Sequence, residues 1–152
     1  MATDTQKALS REQVDAFLGE HETGVLSLAR ADEPYAIPIS YGYDASTGQF
    51  YLRLVSTPES EKRQFLSSSP KARLVVYRED GDTYRSVVAV GTLEEIDRDE
   101  LTIEHLEQYG DTRRPLFALW GQSKRDVDIH LYRIDPDEVT GRLVEVDREA
   151  DA

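Results

Sequence analysis

The chain contains no cysteine, which excludes disulfides, thiolate nucleophiles and cysteine metal sites and leaves the redox compartment open. Basic residues are also scarce: 18 Lys+Arg stand against 30 Asp+Glu, a net charge of −12. A field of that sign repels nucleic acid and anionic membrane surfaces, so neither is expected as a partner. No apolar run approaches the length of a membrane span, and the opening MATDTQKALS has no secretory apolar region, so cytoplasmic residence is the expectation. Familiar catalytic signatures are missing as well. None of the three histidines, His21, His105 and His130, lies in an HExxH motif or beside acidic residues at a metal-ligand spacing, so no metal site is expected. GxSxG, GxGxxG and GxxxxGKS/T are absent, which removes the usual serine-hydrolase, Rossmann and P-loop readings.

What is present is a normal apolar pattern on a 152-residue chain with 39% hydrophobic residues, long enough for one compact domain with a real core. The expected unit spans 9–146, with 1–8 and 147–152 as mobile ends. An acidic surface around a normal core suits a cytoplasm of very high salt, where screening relieves self-repulsion, and the expectation is a halophilic protein.

The chain is organised around Thr23 to Lys62. Tyr35, Ile37, Ile39, Tyr41 and Tyr43 alternate with Ala36, Pro38, Ser40 and Gly42, predicting a strand with one bulky face and one small face that a ligand or another backbone can approach. Pro38 places that strand at an edge or a bend. After the turn Asp44–Gly48, Phe50, Leu52 and Leu54 continue the two-residue period. Upstream, Ser10 and Gln13 form a capping box, Leu9 is placed to pack on Val14, and Val14, Phe17 and Leu18 share a helical face. Downstream, a helix is expected over 56–68, a strand over Ala72–Tyr77 and an Asp-Gly hairpin near Asp80. A long strand follows from Tyr84 to Ile96, with Gly91 as the site of a bulge or close contact. A helix from Asp97 to Tyr109 and a short apolar helix at Pro115–Trp120 come next. A further strand carries Val127, Ile129 and Leu131, Asp135-Pro136-Asp137 reads as a turn, and Val139–Val146 adds a short edge strand. The pattern gives one small mixed barrel with helical inserts.

The best place for a ligand is Ser56-Thr57-Pro58. Thr57 can cap a helix with Pro58 in its first position, and two hydroxyls plus free helix-start N–H groups can receive an anion, with Lys62 one turn later. An ordinary helix cap reads the same residues without a ligand, and Glu59 and Glu61 reduce the field.

With its cover helix and the segments TGVLSLARADEPYAIPISYGYD, FYLRLVSTPESEKRQFLSSSPKARLVVY, YRSVVAVGTLEEI and HLYRIDP, the sequence resembles the pyridoxamine 5′-phosphate oxidase-related, FMN-binding split-barrel family over approximately Val14–Ile134. The resemblance implies a mainly β fold with helical inserts, a six-stranded split β-barrel, and a homodimer with two FMN sites at the subunit interface. It places Ser56 at the family's hydroxyl position and Lys62 at its phosphate lysine. Ile39, Ser40 and Tyr41 fall nearest the flavin ring or ribityl chain, and Ser86 supplies a polar contact from the long strand, across the interface. Arg53 is available in its strand for the phosphate. The arginine-bearing substrate pattern near the end is not intact, which separates this chain from vitamin B6 oxidation more than from flavin binding. Tyr41, Tyr84 and Trp120 are candidates to bound the ring pocket, with core packing as the alternative.

The function these features imply is an FMN-dependent oxidoreductase or flavin reductase, with a small-molecule electron donor and acceptor, in which the cofactor carries the chemistry and no side-chain acid or base is named. A deazaflavin-dependent reductase and a non-catalytic flavin or haem binding protein are the alternatives.

Overall fold

The computed structural model describes residues 5–56, 65–66, 70–96 and 128–146. Helix α1 (Arg11–Glu20) begins as the sequence predicts: the Gln13 N–H donates to Ser10 Oγ at 3.2 Å, and the Ser10 N–H donates to Gln13 Oε1 at 2.9 Å. That reciprocal pair satisfies two helix-start donors, and Val14, Phe17 and Leu18 turn inward. The strands are β1 (Thr5–Ala8), β2 (Thr23–Arg30), β3 (Glu33–Asp44), β4 (Gln49–Ser56), β5 (Lys71–Asp80), β6 (Thr83–Glu95) and β7 (Asp128–Glu145). They form a seven-stranded antiparallel sheet in the order β1-β7-β4-β3-β2-β5-β6. β6 pairs again with β7, so the hydrogen bonding runs around β2 to β7 and returns to its start. The fold is thus mainly β with a small helical part, and the circuit is irregular rather than a symmetric barrel.

One set of alternating residues on every strand of the circuit faces inward. Phe50, Leu52, Leu93 and Ile134 are completely buried there, and α1 closes over them with Phe17 and Leu18. Phe65, which with Leu66 is in helical conformation, joins the same core and stacks on Tyr35 at 5.0 Å. The rest of the 56–68 helix expectation, together with those at 97–109 and 115–120, lies outside the described residues.

Pro38 pairs with Val25 of β2, while the β4 ladder reaches only Tyr41–Asp44. Among the described residues β3 therefore has a local edge at Pro38, where a missing N–H costs no ladder bond. Gly91 marks a register shift between β6 and β7, as predicted. A Cβ there would lie 2.7 Å from the Asp135 carbonyl oxygen, so only glycine lets the two backbones approach.

Three expectations are corrected. Asp135-Pro136-Asp137 is no turn: β7 continues through it as one 18-residue strand. Gly91 pairs with Pro136 and Val90 with Glu138, so Asp137 is the extra residue of a bulge, and the bulge absorbs the proline. Residues 5–8, read as part of a terminal segment outside the 9–146 unit, form β1 against Arg142–Glu145. That pairing makes the sheet seven-stranded rather than six-stranded. In the β5–β6 hairpin Asp80 pairs with Thr83, so the loop is Gly81-Asp82, with Gly81 at a φ of 63°, one residue later than the Asp-Gly reading.

Candidate functional site

β3 changes character along its length. Its bulky residues Ile39 and Tyr41 enter the core, 3% and 2% exposed. The Tyr41 hydroxyl donates to the Leu18 carbonyl at 2.8 Å, and burial, helped by the Glu22 charge, pushes its phenol above the ordinary tyrosine range. Any contact these two make with a ligand on the outer face is therefore through their backbone. Ser40 lies between them and faces the other way. At 3% exposure it is the one polar side chain buried in the body of the sheet among the described residues.

Outward from Ser40, Gly42 pairs with Tyr51, Tyr51 with Arg133, and Arg53 with Leu131. Paired residues share a face, so β3, β4 and β7 place Ser40, Tyr51, Arg53 and Arg133 on one outer surface. Tyr51, Ile96 and Leu131 form a small apolar cluster there, separate from the main core. Arg133 holds Glu94 through Nη2 at 3.2 Å, while its Nε is buried with no hydrogen-bond partner. A buried guanidinium donor without an acceptor is costly, and it suits a surface that receives an external oxygen. The sequence reading missed Tyr51 and Arg133. Their signal was the outward half of the period in FYLRLV and LYRI, which only the cross-strand register could bring together.

The other predicted residues are less gathered. Ser56 ends β4 and pairs with Asp128. Thr57 and Lys62 lie outside the described residues. Ser86 sits half-buried on β6 between Tyr77 and Arg142, away from the Ser40 surface. Tyr84 donates to Glu79 at 3.3 Å, and Trp120 falls outside the described residues. Within one chain the structure thus unites Ser40 and Arg53, places Ile39 and Tyr41 behind them, and leaves Ser86 apart.

On another side, Arg11, Gly48, Asp135, Asp137 and Glu138 are among the residues lining a cavity of about 290 Å³. Its carboxylates would repel a phosphate, and it contains none of the predicted residues. No group of three or more His, Cys, Asp or Glu among the described residues could hold a metal ion. No helix among them is long and apolar enough to cross a membrane.

The sequence profile of the family described as pyridoxamine 5′-phosphate oxidase matches residues 10–143, and the chain belongs to that family. No curated protein matches it. Among solved structures, the fold is similar to a FAD-binding protein from Mesorhizobium loti at 21% identity and a TM-score of 0.70, covering 94% of this chain and 99% of that one. The FAD binding protein from Mycobacterium smegmatis gives 14% identity and 0.65, covering 90% and 98%. A heme binding protein from the same organism gives 16% identity and 0.57, covering 86% of this chain and 53% of that one. At these identities the likeness is one of fold.

Proposed function

We propose that this family member is an FMN-dependent oxidoreductase or flavin reductase built on this closed strand circuit, with a small molecule as electron donor and acceptor. The observation that carries the reading is the family match over residues 10–143, and the fold shared with proteins described as FAD-binding supports a flavin-associated role. The residues present fit such a cofactor. Ser40 and Gly42 make the face of β3 turned from the core a small one, Arg53 and Arg133 supply positive charge on the same face, and the unpartnered Arg133 Nε is a donor in want of an oxygen. Ser56, Thr57 and Lys62 would hold the phosphate, two hydroxyls and an ammonium group offering charge-assisted hydrogen bonds to it. When bound, the flavin supplies reversible two-electron or one-electron transfer. The chain's own part is to anchor the phosphate, hold one ring edge by backbone groups of Ile39 to Tyr41, and keep water from the covered face.

The two-site arrangement is a homodimer with Ser86 reaching the flavin from the partner copy, in a halophilic cytoplasm that matches the −12 charge. Light scattering and unfolding in dilute and in multimolar KCl test both: twice the 17.3 kDa chain mass and greater stability in concentrated salt are expected. A monomer that still binds FMN tightly, or identical unfolding curves, removes the corresponding part.

The deciding experiment is a titration of apoprotein with FMN, phosphate-free riboflavin and a deazaflavin cofactor, for the wild type and Lys62→Ala. The variant is expected to lose about 1–3 kcal/mol of FMN affinity and little riboflavin affinity. Equal losses reject Lys62 as phosphate ligand, and wild-type preference for the deazaflavin rejects FMN. A haem reading is favoured only by the fold shared with the heme binding protein, and the absorption spectrum of the protein as purified separates it.

A further inference from the structure

Near the β5–β6 hairpin, Arg78 pairs directly with Arg85 across the ladder. Like charges in that position repel. Both side chains are exposed, and among the described residues neither has a hydrogen bond or an ion pair. This is unexpected on a chain with 30 acidic residues against 18 basic ones. Three other cations do hold carboxylates: Arg11 holds Asp15 at 3.1 Å, Lys71 holds Asp137 at 2.9 Å and Arg133 holds Glu94.

The charges of both arginines reach His21, the residue that ends α1. His21 caps that helix, with its ring edge-on to Phe17 at 4.4 Å. Burial pushes the imidazole toward its neutral form, the Arg78 charge adds to this, Glu20 opposes it, and Arg85 contributes in the same sense as Arg78. Within one chain the pair lies apart from the Ser40 surface, since Ser56 pairs with Asp128 at the start of β7 and Arg85 with Leu143 near its end, and along β6 Arg85 faces the opposite side from Ser86.

We propose that Arg78 and Arg85 are the two arms of an oxyanion site, with the His21 imidazole as a third hydrogen-bonding group, that takes a phosphate dianion, free or as a monoester. Two fixed positive charges call for two negative ones; a single carboxylate would leave one guanidinium uncompensated. Guanidinium forks also match the tetrahedral oxygens of a phosphate. Binding would cancel the arginine charge that adds to burial in disfavouring the imidazolium, so the imidazole gains proton affinity as the anion binds, and by linkage the anion binds more tightly as pH falls through the histidine range.

The test is histidine-resolved NMR on the full chain, with the His21 signal assigned by a His21→Gln variant. Inorganic phosphate and methyl phosphate are titrated in separate arms at an ionic strength held constant with KCl. Saturable binding with an upward move of the His21 midpoint is expected, and the tighter of the two probes identifies the free or esterified source. Arg78→Gln/Arg85→Gln, checked for folding by circular dichroism, should bind about tenfold more weakly or worse and lose the His21 response. Lys62→Ala should keep both, which separates this site from the flavin phosphate. A His21 response to KCl alone, a response that survives in the double variant, or binding of neither probe overturns the proposal.

Discussion

The two faces of the strand circuit are built from nearly the same residue types and do different work. Inside, Leu74 of β5 lies opposite Ala89 of β6, each 1% exposed. One residue further along, Val75 lies opposite Val88 on the outer face, both half-buried, and Val25 of β2 extends the row. The inner residues need only this chain to be dry. The outer row leaves valines half in water beside Tyr77, which is 70% exposed, and the proposed dimer would cover such a row. A two-residue period shows that a strand has two faces, but it does not say which of two apolar faces is the core.

Substitution sharpens the contrast. Leu93→Ala, at a fully buried inner site, should cost about 3 kcal/mol in urea unfolding at any protein concentration. Val88→Ala should cost under about 1 kcal/mol in a dilute monomer and more once copies associate, so its penalty should grow with concentration. A concentration-independent penalty for Val88→Ala would mean that no second copy covers the outer row.

Next in size is Gly91→Ala. Its Cβ would meet backbone atoms, the Asp135 oxygen at 2.7 Å and the Pro136 Cα at 2.9 Å, which cannot swing aside as a side chain can. A loss of about 1–3 kcal/mol is expected, with disturbed amide signals on both sides of the β7 bulge. Unchanged stability would show that the bulge is softer than this contact implies.

Smaller again is Tyr41→Phe, which strands the Leu18 carbonyl and should cost about 1–2 kcal/mol without altering flavin affinity, because the ring belongs to the core. Altered flavin binding at unchanged stability would return Tyr41 to the ligand side. The least effect is expected from Tyr43, whose hydroxyl donates to Asp15 at 2.6 Å. Burial and that bond push its phenol from 10.0 up to about 12. The folded chain thus keeps a proton the unfolded chain releases, so this stabilisation is complete below pH 10 and disappears as pH rises towards 12. Tyr43→Phe should flatten that alkaline limb in a stability-versus-pH series, and an unaltered limb would assign it to other groups.

Much of this was legible in the sequence because its signals are local. Ser10, Gln13 and Leu9 sit within one helical turn, and Gly91 interrupts a run of β-formers. The continuity of β7 was not legible: Asp135-Pro136-Asp137 is turn chemistry by every local rule, and it is overridden by the long β6 ladder beside it. β1 carries no apolar period, since all four of its residues are exposed, and it exists only because β7 offers an edge. Ala31 takes a φ of 53° in the β2–β3 turn, a conformation an alanine does not announce. At the candidate site, Ser40 and Arg53 were readable one by one. Their meeting with Tyr51 and Arg133 depends on pairings between strands far apart in the chain.

β7 touches β1, β4 and β6, so the earliest described strand and the closing seam of the circuit both wait for the same late segment. During synthesis, β2 to β6 can pair only as an open sheet until residues 128–145 have left the ribosome. β1 must then find a partner more than a hundred residues away, and such non-local pairing places folding in the millisecond-to-second range of β-rich domains. Until that moment two strand edges stand unprotected, and a nascent chain arrested just before Asp128 should be the species most prone to aggregate or to recruit a chaperone.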